Sequence, residues 1–200
     1  MIPSSSSAPK AVLEALGSAF HNLYAEGYPH SDMRTLSERE LLDYDAQLAY
    51  FRRYADRRYY KGADYVNIVE ALAQRRTAEA FCPPGMSPDQ LYVNVQPLSG
   101  GVANTAVYEA LVAEGDTVMG LDLMHGGHLT HGSPVNHSGR HHKIVSYHVN
   151  DKTERLDYDE IESLAREHKP KMIIAGYTSY PLAPDFRRFR EIADSVGAYL

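Results

Sequence analysis

Strand-like and helix-like segments alternate along residues 91–200, and this alternation limits the possible folds more than any other feature of the chain. Apolar, β-branched runs predict strands, and runs with apolar residues three or four apart predict helices. We expect strands at 91–96, 117–123, 143–149 and 171–176, with another beginning at Ala198, and helices at 102–113, 158–168 and 185–196. Strands joined through helices form parallel sheets, so the sequence predicts an α/β fold with a mainly parallel sheet.

Residues 1–82 show helical patterns instead. Apolar residues recur at helical spacing over 11–24. Ser37 and Glu40 have the spacing of a capping box, which predicts that a second helix begins there and ends near Asp56. A third helix is expected at 64–81, before Cys-Pro-Pro-Gly.

The expected division of the chain follows from this change of pattern. Residues 1–82 form a helical N-terminal segment, and residues 83–200 form an incomplete α/β domain.

Composition narrows the class of protein. The net charge is −6 with no long basic run, which argues against nucleic acid as the main partner. Cys82 is the single cysteine in the sequence, so no intrachain disulfide can form, as is common in the cytoplasm. No apolar run approaches the roughly 20 residues that span a bilayer. We therefore expect a soluble, cytoplasmic protein without a membrane partner.

Ser99, Gly100 and Gly101 lie between a predicted strand and a predicted helix. Glycines at such a helix start let the backbone approach a phosphate, which free N–H groups and the helix dipole attract. An ordinary tight turn explains the same glycines. The segment matches neither a dinucleotide fingerprint nor a P-loop.

A loop rich in histidine and glycine, HGGHLTHGSPVN, occupies residues 125–136. It follows a predicted strand, at the sheet edge where α/β sites gather. A metal site needs further ligands in a fixed geometry, and we expect none here. The other interpretations are polar loop histidines without a role and an imidazole stacked on a planar ring. Tyrosines and Glu26 in YAEGYP (24–29) and RRYYKG (57–62) can exchange protons, or can simply pack at helix ends.

The chain resembles serine hydroxymethyltransferases, which are pyridoxal-phosphate enzymes of the aspartate-aminotransferase-like fold, fold type I. The resemblance covers nearly the whole sequence, and HGGHLTHGSPVN is highly specific for the family. The matching segments are LEALGS (13–18), YAEGYP, RYYKGADYV (58–66), NVQPLSGGVANTAVYEAL (94–111), GDTVMGLDLMHGGHLTHGSPVNHSG (115–139), HKPKMIIAGYTSYP (168–181) and FREIADSVGAYL (189–200).

The resemblance implies roles at matching positions. Ser99, Gly100 and Gly101 would hold the cofactor phosphate, His128 would stack on the pyridine ring, and Thr178 would lie near the phenolic oxygen. The substrate side would comprise Ser4, Tyr24, Glu26, Tyr59 and Tyr60, with Glu26, Tyr60 and His128 as catalytic residues and Tyr24 and Tyr60 also touching the cofactor. Leu123, Gly127, His128 and Leu129 would border tetrahydrofolate.

The resemblance also implies the reaction and the assembly. A one-carbon unit would pass reversibly between serine and tetrahydrofolate, giving glycine and methylene-tetrahydrofolate, in one-carbon metabolism and glycine biosynthesis. The substrate-side residues would come from a second subunit, in a homodimer or a dimer of dimers. The family's Schiff-base lysine follows GAYL, with the aspartate that holds the pyridine nitrogen nearby. We therefore expect both beyond Leu200, and expect residues 1–200 alone to be inactive.

Three departures from the family pattern keep other functions open. Residues 4–7 are four serines where the family has Ser-Glu-Asn-Tyr, Gly101 replaces a serine, and an inserted helix at about 31–57 separates the two substrate-side segments. One alternative is a pyridoxal-phosphate aldolase or transaldolase acting on threonine-like β-hydroxy amino acids. Another is a noncatalytic protein that retains the fold as an interaction module.

Overall fold

The protein is described by a computed structural model that covers residues 5–54 and 57–200. Two compact units emerge, one of residues 7–96 and the other of residues 97–200 together with residues 5 and 6. We call them the N-terminal and the C-terminal unit. The predicted division after residue 82 stays a prediction. Across the described ranges, no helix is long and apolar enough to cross a membrane.

The N-terminal unit is mostly helical. Its elements are α1 (Lys10–Leu16), β1 (Gly27–Tyr28), α2 (Glu38–Leu41), α3 (Tyr44–Tyr54), β2 (Arg57–Arg58) and α4 (Asp64–Phe81), with 3-10 turns at Ala19–Asn22, Ser31–Thr35 and Pro88–Gln90. The strands β1 and β2 pair antiparallel. A small core forms where Met33 and Leu41 pack against Ile68 and Ala71 of α4. The inserted segment therefore packs on the predicted third helix, which has the expected bounds of 64–81.

The C-terminal unit is a parallel sheet with helices. Its elements are α5 (Gly100–Leu111), β3 (Thr117–Leu121), α6 (His137–His141), β4 (Lys143–Tyr147), α7 (Tyr158–His168), β5 (Met172–Ile173) and α8 (Phe186–Val196), with 3-10 turns at Leu123–His125 and Leu129–His131. The strand order is β4-β3-β5, and both pairings are parallel. This confirms the predicted parallel α/β class.

Successive residues of β3 belong to two different hydrophobic cores, one on each face of the sheet. Val118 packs with Tyr108 of α5 and with Val112, which follows that helix. Met119 belongs to the cluster that includes Ile161 of α7 and Phe189 of α8. Side chains of successive strand residues point to opposite faces, and a sheet buried on both faces therefore reads as a continuous apolar run. Tyr199 forms a parallel bridge with Met172, where a further strand was expected to begin.

The expected strand at 91–96 is wrong, because residues 91–96 adopt no regular structure. Strand propensity is realised only where a neighbouring strand supplies hydrogen bonds. Here the Gln96 N–H donates instead to the Asn94 side chain at 2.9 Å, a local bond that competes with strand pairing. The Gln96 side chain donates to the Gly27 carbonyl and to Glu70.

Two predicted helices are broken into shorter pieces. The helix expected at 11–24 ends at Leu16, because Gly17 closes it and Ser18 adopts an extended conformation before a 3-10 turn. The inserted helix becomes α2 and α3, separated at Leu42 and Asp43. Its predicted end near Asp56 lies outside the described residues.

The capping box predicted at Ser37 is confirmed. Its hydroxyl accepts from the Glu40 N–H at 3.3 Å, and the Glu40 carboxylate accepts from the Ser37 N–H at 2.8 Å. Local side-chain spacing was sufficient to predict this helix start.

Candidate functional site

The N-terminus of α5 is an open, glycine-rich backbone surface. Ser99 precedes the helix in an extended conformation, and its side chain makes no capping bond to any described residue. A Cβ added to Gly100 would meet no described atom within 4 Å, so the helix start is open at Gly100. The first N–H groups of a helix lack partners within it and carry partial positive charge. The predicted segment 99–101 thus has the geometry to accept an anion such as phosphate.

His128 is connected to α5 by side-chain hydrogen bonds. Its Nδ1 lies 2.7 Å from Thr130 Oγ1 and accepts from the Thr130 N–H at 3.1 Å. Thr130 Oγ1 also accepts from the Asn104 side-chain nitrogen at 2.7 Å. Because Asn104 follows Gly101 on the same helix, His128 is held beside the helix whose first turn is the candidate phosphate site.

The glycines of the histidine loop allow a close backbone approach. The Gly126 carbonyl accepts from the N–H groups of Thr178 and Ser179, at 2.9 and 3.1 Å. A Cβ on Gly127 would lie 2.0 Å from the Leu121 carbonyl oxygen, so only glycine fits there. These contacts bring Thr178 to the histidine loop. Its buried hydroxyl has no hydrogen-bond partner among residues 5–54 and 57–200.

His131 follows His128 by one turn of the loop, and its ring centroid lies 5.4 Å away. Burial, and secondarily the charge of His128, lowers its pKa to about 4, although a backbone bond to Gly176 acts in the opposite direction. His131 is therefore neutral at pH 7. The described residues contain no group of three or more His, Cys, Asp or Glu side chains arranged to hold a metal ion.

Leu123 and Leu129, which the family resemblance assigns to folate, are partly exposed on the same loop. Each begins one of the two 3-10 turns that contain the histidines. Two apolar side chains thus flank Gly127 and His128 in the sequence and remain accessible.

Within the N-terminal unit, Tyr24, Glu26 and Tyr60 lie close together. The rings of Tyr24 and Tyr60 are edge to face, with centroids 6.3 Å apart. A hydrogen bond with the Glu26 carboxylate, followed by its negative charge, raises the pKa of Tyr60. Tyr59 is exposed, and its N–H donates to the Glu26 carbonyl at 3.0 Å. Ser4, the remaining predicted substrate residue, lies outside the described residues.

A buried cluster holds the backbone on both sides of Glu26. Arg58 donates to the carbonyls of Ala25 and Gly27, at 2.5 and 3.0 Å, and forms an ion pair with Glu70 at 2.6 Å. Because the Arg58 side chain is 1% exposed and that of Glu70 is 9% exposed, water screens this pair weakly. The cluster restrains the backbone that carries Glu26.

Sequence reasoning missed the residues that support the site, namely Arg58, Glu70, Gln96, Asn104 and Thr130. Their partners lie 26 residues away for Asn104 and Thr130, and 12 residues away for Arg58 and Glu70. Thr130 directly follows the predicted site residues His128 and Leu129, but its sequence position alone did not indicate which side chain it contacts.

The C-terminal unit is therefore an α/β unit with an accessible, anion-accepting helix start and a hydrogen-bonded histidine beside it. A sequence model of the serine hydroxymethyltransferase family matches residues 40–200 of the chain. The chain belongs to the serine hydroxymethyltransferase family.

Proposed function

We propose that the protein is a glycine hydroxymethyltransferase, which transfers a one-carbon unit reversibly between serine and tetrahydrofolate. The observation that carries the proposal is the family match over residues 40–200, within which the α5 start and His128 are linked through Thr130. Fold type I and the use of pyridoxal phosphate and tetrahydrofolate belong to the same proposal.

The residues of the C-terminal unit fit a planar cofactor that carries a phosphate. The helix start at Ser99, Gly100 and Gly101 would receive the phosphate. The buried hydroxyl of Thr178, which has no hydrogen-bond partner among the described residues, would donate to a cofactor oxygen. His128 would stack against the pyridine ring. When bound, pyridoxal phosphate supplies an electron sink for the charge that develops at the α-carbon of an amino acid.

In this proposal, residues of the N-terminal unit transfer protons to and from the substrate. The Glu26 carboxylate accepts the Tyr60 hydroxyl hydrogen, so these two groups can hold and pass a proton at the substrate hydroxymethyl group. Tyr24 and Tyr59 would contact the substrate, and Ser4 its carboxylate. Leu123, Gly127 and Leu129 would border the folate.

We further propose a homodimer or a dimer of dimers in which these substrate-side residues serve the active site of a second subunit. Mixing Glu26→Gln subunits with His128→Ala subunits, each expected to have strongly reduced activity alone, tests this arrangement. Activity should return towards a quarter of wild type, because some mixed sites contain both native residues. If unfolding and reassembly of the mixture restored none, although wild-type protein recovered from the same treatment, the shared site would be wrong.

The reaction is tested on the full-length protein with serine, with and without tetrahydrofolate, and with threonine alone. Folate-dependent glycine formation from serine is expected to exceed threonine cleavage. Faster folate-independent cleavage of threonine would favour the aldolase alternative, which the inserted segment motivates. His128→Ala should slow turnover and change the cofactor absorbance, whereas His131→Ala should do less.

A further inference from the structure

Asn104 and Thr130 form a short hydrogen-bond chain that ends at His128. The Asn104 side-chain nitrogen lies 2.7 Å from Thr130 Oγ1, and Thr130 Oγ1 lies 2.7 Å from His128 Nδ1. Thr130 is 7% exposed. Its low exposure shields both bonds from competition with water.

The direction of each bond follows from the chemistry of the donors. An amide NH₂ group can only donate, so Thr130 Oγ1 accepts from Asn104. The hydroxyl hydrogen of Thr130 is then available for His128 Nδ1 at 2.7 Å, and the Thr130 N–H also points to Nδ1 at 3.1 Å. A ring nitrogen that faces two donors must present its lone pair. The single proton of the neutral imidazole is therefore on Nε2.

Thr130 is itself held in place. The Tyr108 hydroxyl donates to the Thr130 carbonyl at 2.7 Å. Burial raises the pKa of Tyr108 to about 12, so this donor keeps its proton at physiological pH. The Thr130 methyl group also lies 3.8 Å from the position of a Cβ on Gly101, which places it against the first turn of α5.

We propose that Asn104 and Thr130 are positioning residues that fix the ring orientation of His128 and keep its proton on Nε2. The inference rests on the proposed function only for the role of His128 towards the cofactor. An imidazole with a fixed tautomer and orientation needs no rearrangement to pack against a planar ring, which lowers the cost of binding.

The tautomer is measured by NMR on the full-length, cofactor-free protein with ¹⁵N-labelled histidine. Two-bond proton–nitrogen correlations distinguish a protonated from an unprotonated ring nitrogen, and His128→Gln assigns the signal. Wild type should show an unprotonated Nδ1. Asn104→Asp puts a carboxylate where the amide donor was, so the Thr130 hydroxyl donates to it and turns a lone pair towards Nδ1. This variant should move protonation towards Nδ1.

Cofactor binding gives the second measurement, by absorbance titration with pyridoxal phosphate. Thr130→Val removes the hydroxyl at nearly constant volume and should weaken binding about 3–10-fold, the usual value of one hydrogen bond. Thr130→Ser keeps the hydroxyl and should retain the wild-type tautomer and most of the affinity. Thr105→Val is the matched control for the NMR signal, because its hydroxyl donates to the Gly101 carbonyl on the same helix and should leave the His128 tautomer unchanged.

A proton on Nδ1 of wild-type His128 would overturn the inference. An unprotonated Nδ1 in Asn104→Asp, or wild-type affinity for pyridoxal phosphate in Thr130→Val, would also overturn it. Circular dichroism establishes that each variant folds. If the tautomer responds as expected but the protein binds no cofactor, the proposed function fails and the positioning chain stands. If cofactor binds and serine is cleaved but Asn104→Asp changes nothing, only the positioning chain fails.

Discussion

Replacing Glu70 with alanine should destabilise the protein strongly, because it leaves the buried Arg58 guanidinium without its counter-charge. The two side chains are 9% and 1% exposed and 2.6 Å apart. Removing one partner of such a buried pair costs about 3–5 kcal/mol, most of it the penalty of an uncompensated charge. Arg58 keeps its bonds to Asn67 and to the carbonyls of Ala25 and Gly27, so we expect about 3 kcal/mol.

The assay is urea unfolding of the cofactor-free, full-length protein, followed by circular dichroism. Glu38→Ala is the matched control, because Glu38 pairs with Arg76 at the surface, where the side chains are 43% and 59% exposed. It should lose at most about 1 kcal/mol, since water screens the pair. The double variant Arg58→Met/Glu70→Leu should recover part of the lost stability, because it removes the uncompensated charge. Recovery stays incomplete because the carbonyls of Ala25 and Gly27 lose the Arg58 donor. Equal small losses in Glu70→Ala and Glu38→Ala would refute the buried-charge argument.

Three further predictions use the same unfolding assay. Because burial holds the pKa of His131 at about 4 against its usual 6.5, protons bind first to the unfolded chain as the pH falls. The unfolding free energy should decrease by up to about 3 kcal/mol from pH 6.5 to 4. In His131→Asn the decrease should be smaller by this amount. The same pH profile in wild type and His131→Asn would contradict the prediction. Ser37→Ala removes the capping box and should cost about 1 kcal/mol, whereas no loss would show that the cap is dispensable. Gly127→Ala places a methyl group 2.0 Å from the Leu121 carbonyl oxygen and should cost at least about 1–3 kcal/mol of stability. Gly100→Ala places its methyl group in open space and should be nearly neutral. Equal losses in the two variants would contradict the close approach at Gly127.

Short-range signals were sufficient to predict much of the secondary structure. The helix at 64–81 has the predicted bounds, and the capping box at Ser37 is formed as its spacing indicated. Such signals act between residues a few positions apart, so they can be read without knowledge of the packing. Alternation of strands and helices similarly indicated the parallel sheet, because a parallel connection needs a crossover.

Only the tertiary structure decided where those local preferences are overruled and which residues support the site. Residues 91–96 have the sequence pattern of a strand but adopt no regular structure, and the Gln96 N–H and side chain donate to Asn94 and to the Gly27 carbonyl. Thr178 reaches the histidine loop because the Gly126 carbonyl accepts its N–H, a contact across 52 positions of the chain. Asn104 reaches Thr130 in the same way. Such contacts depend on packing between distant segments, and burial then determines how strongly each hydrogen bond or charge pair acts.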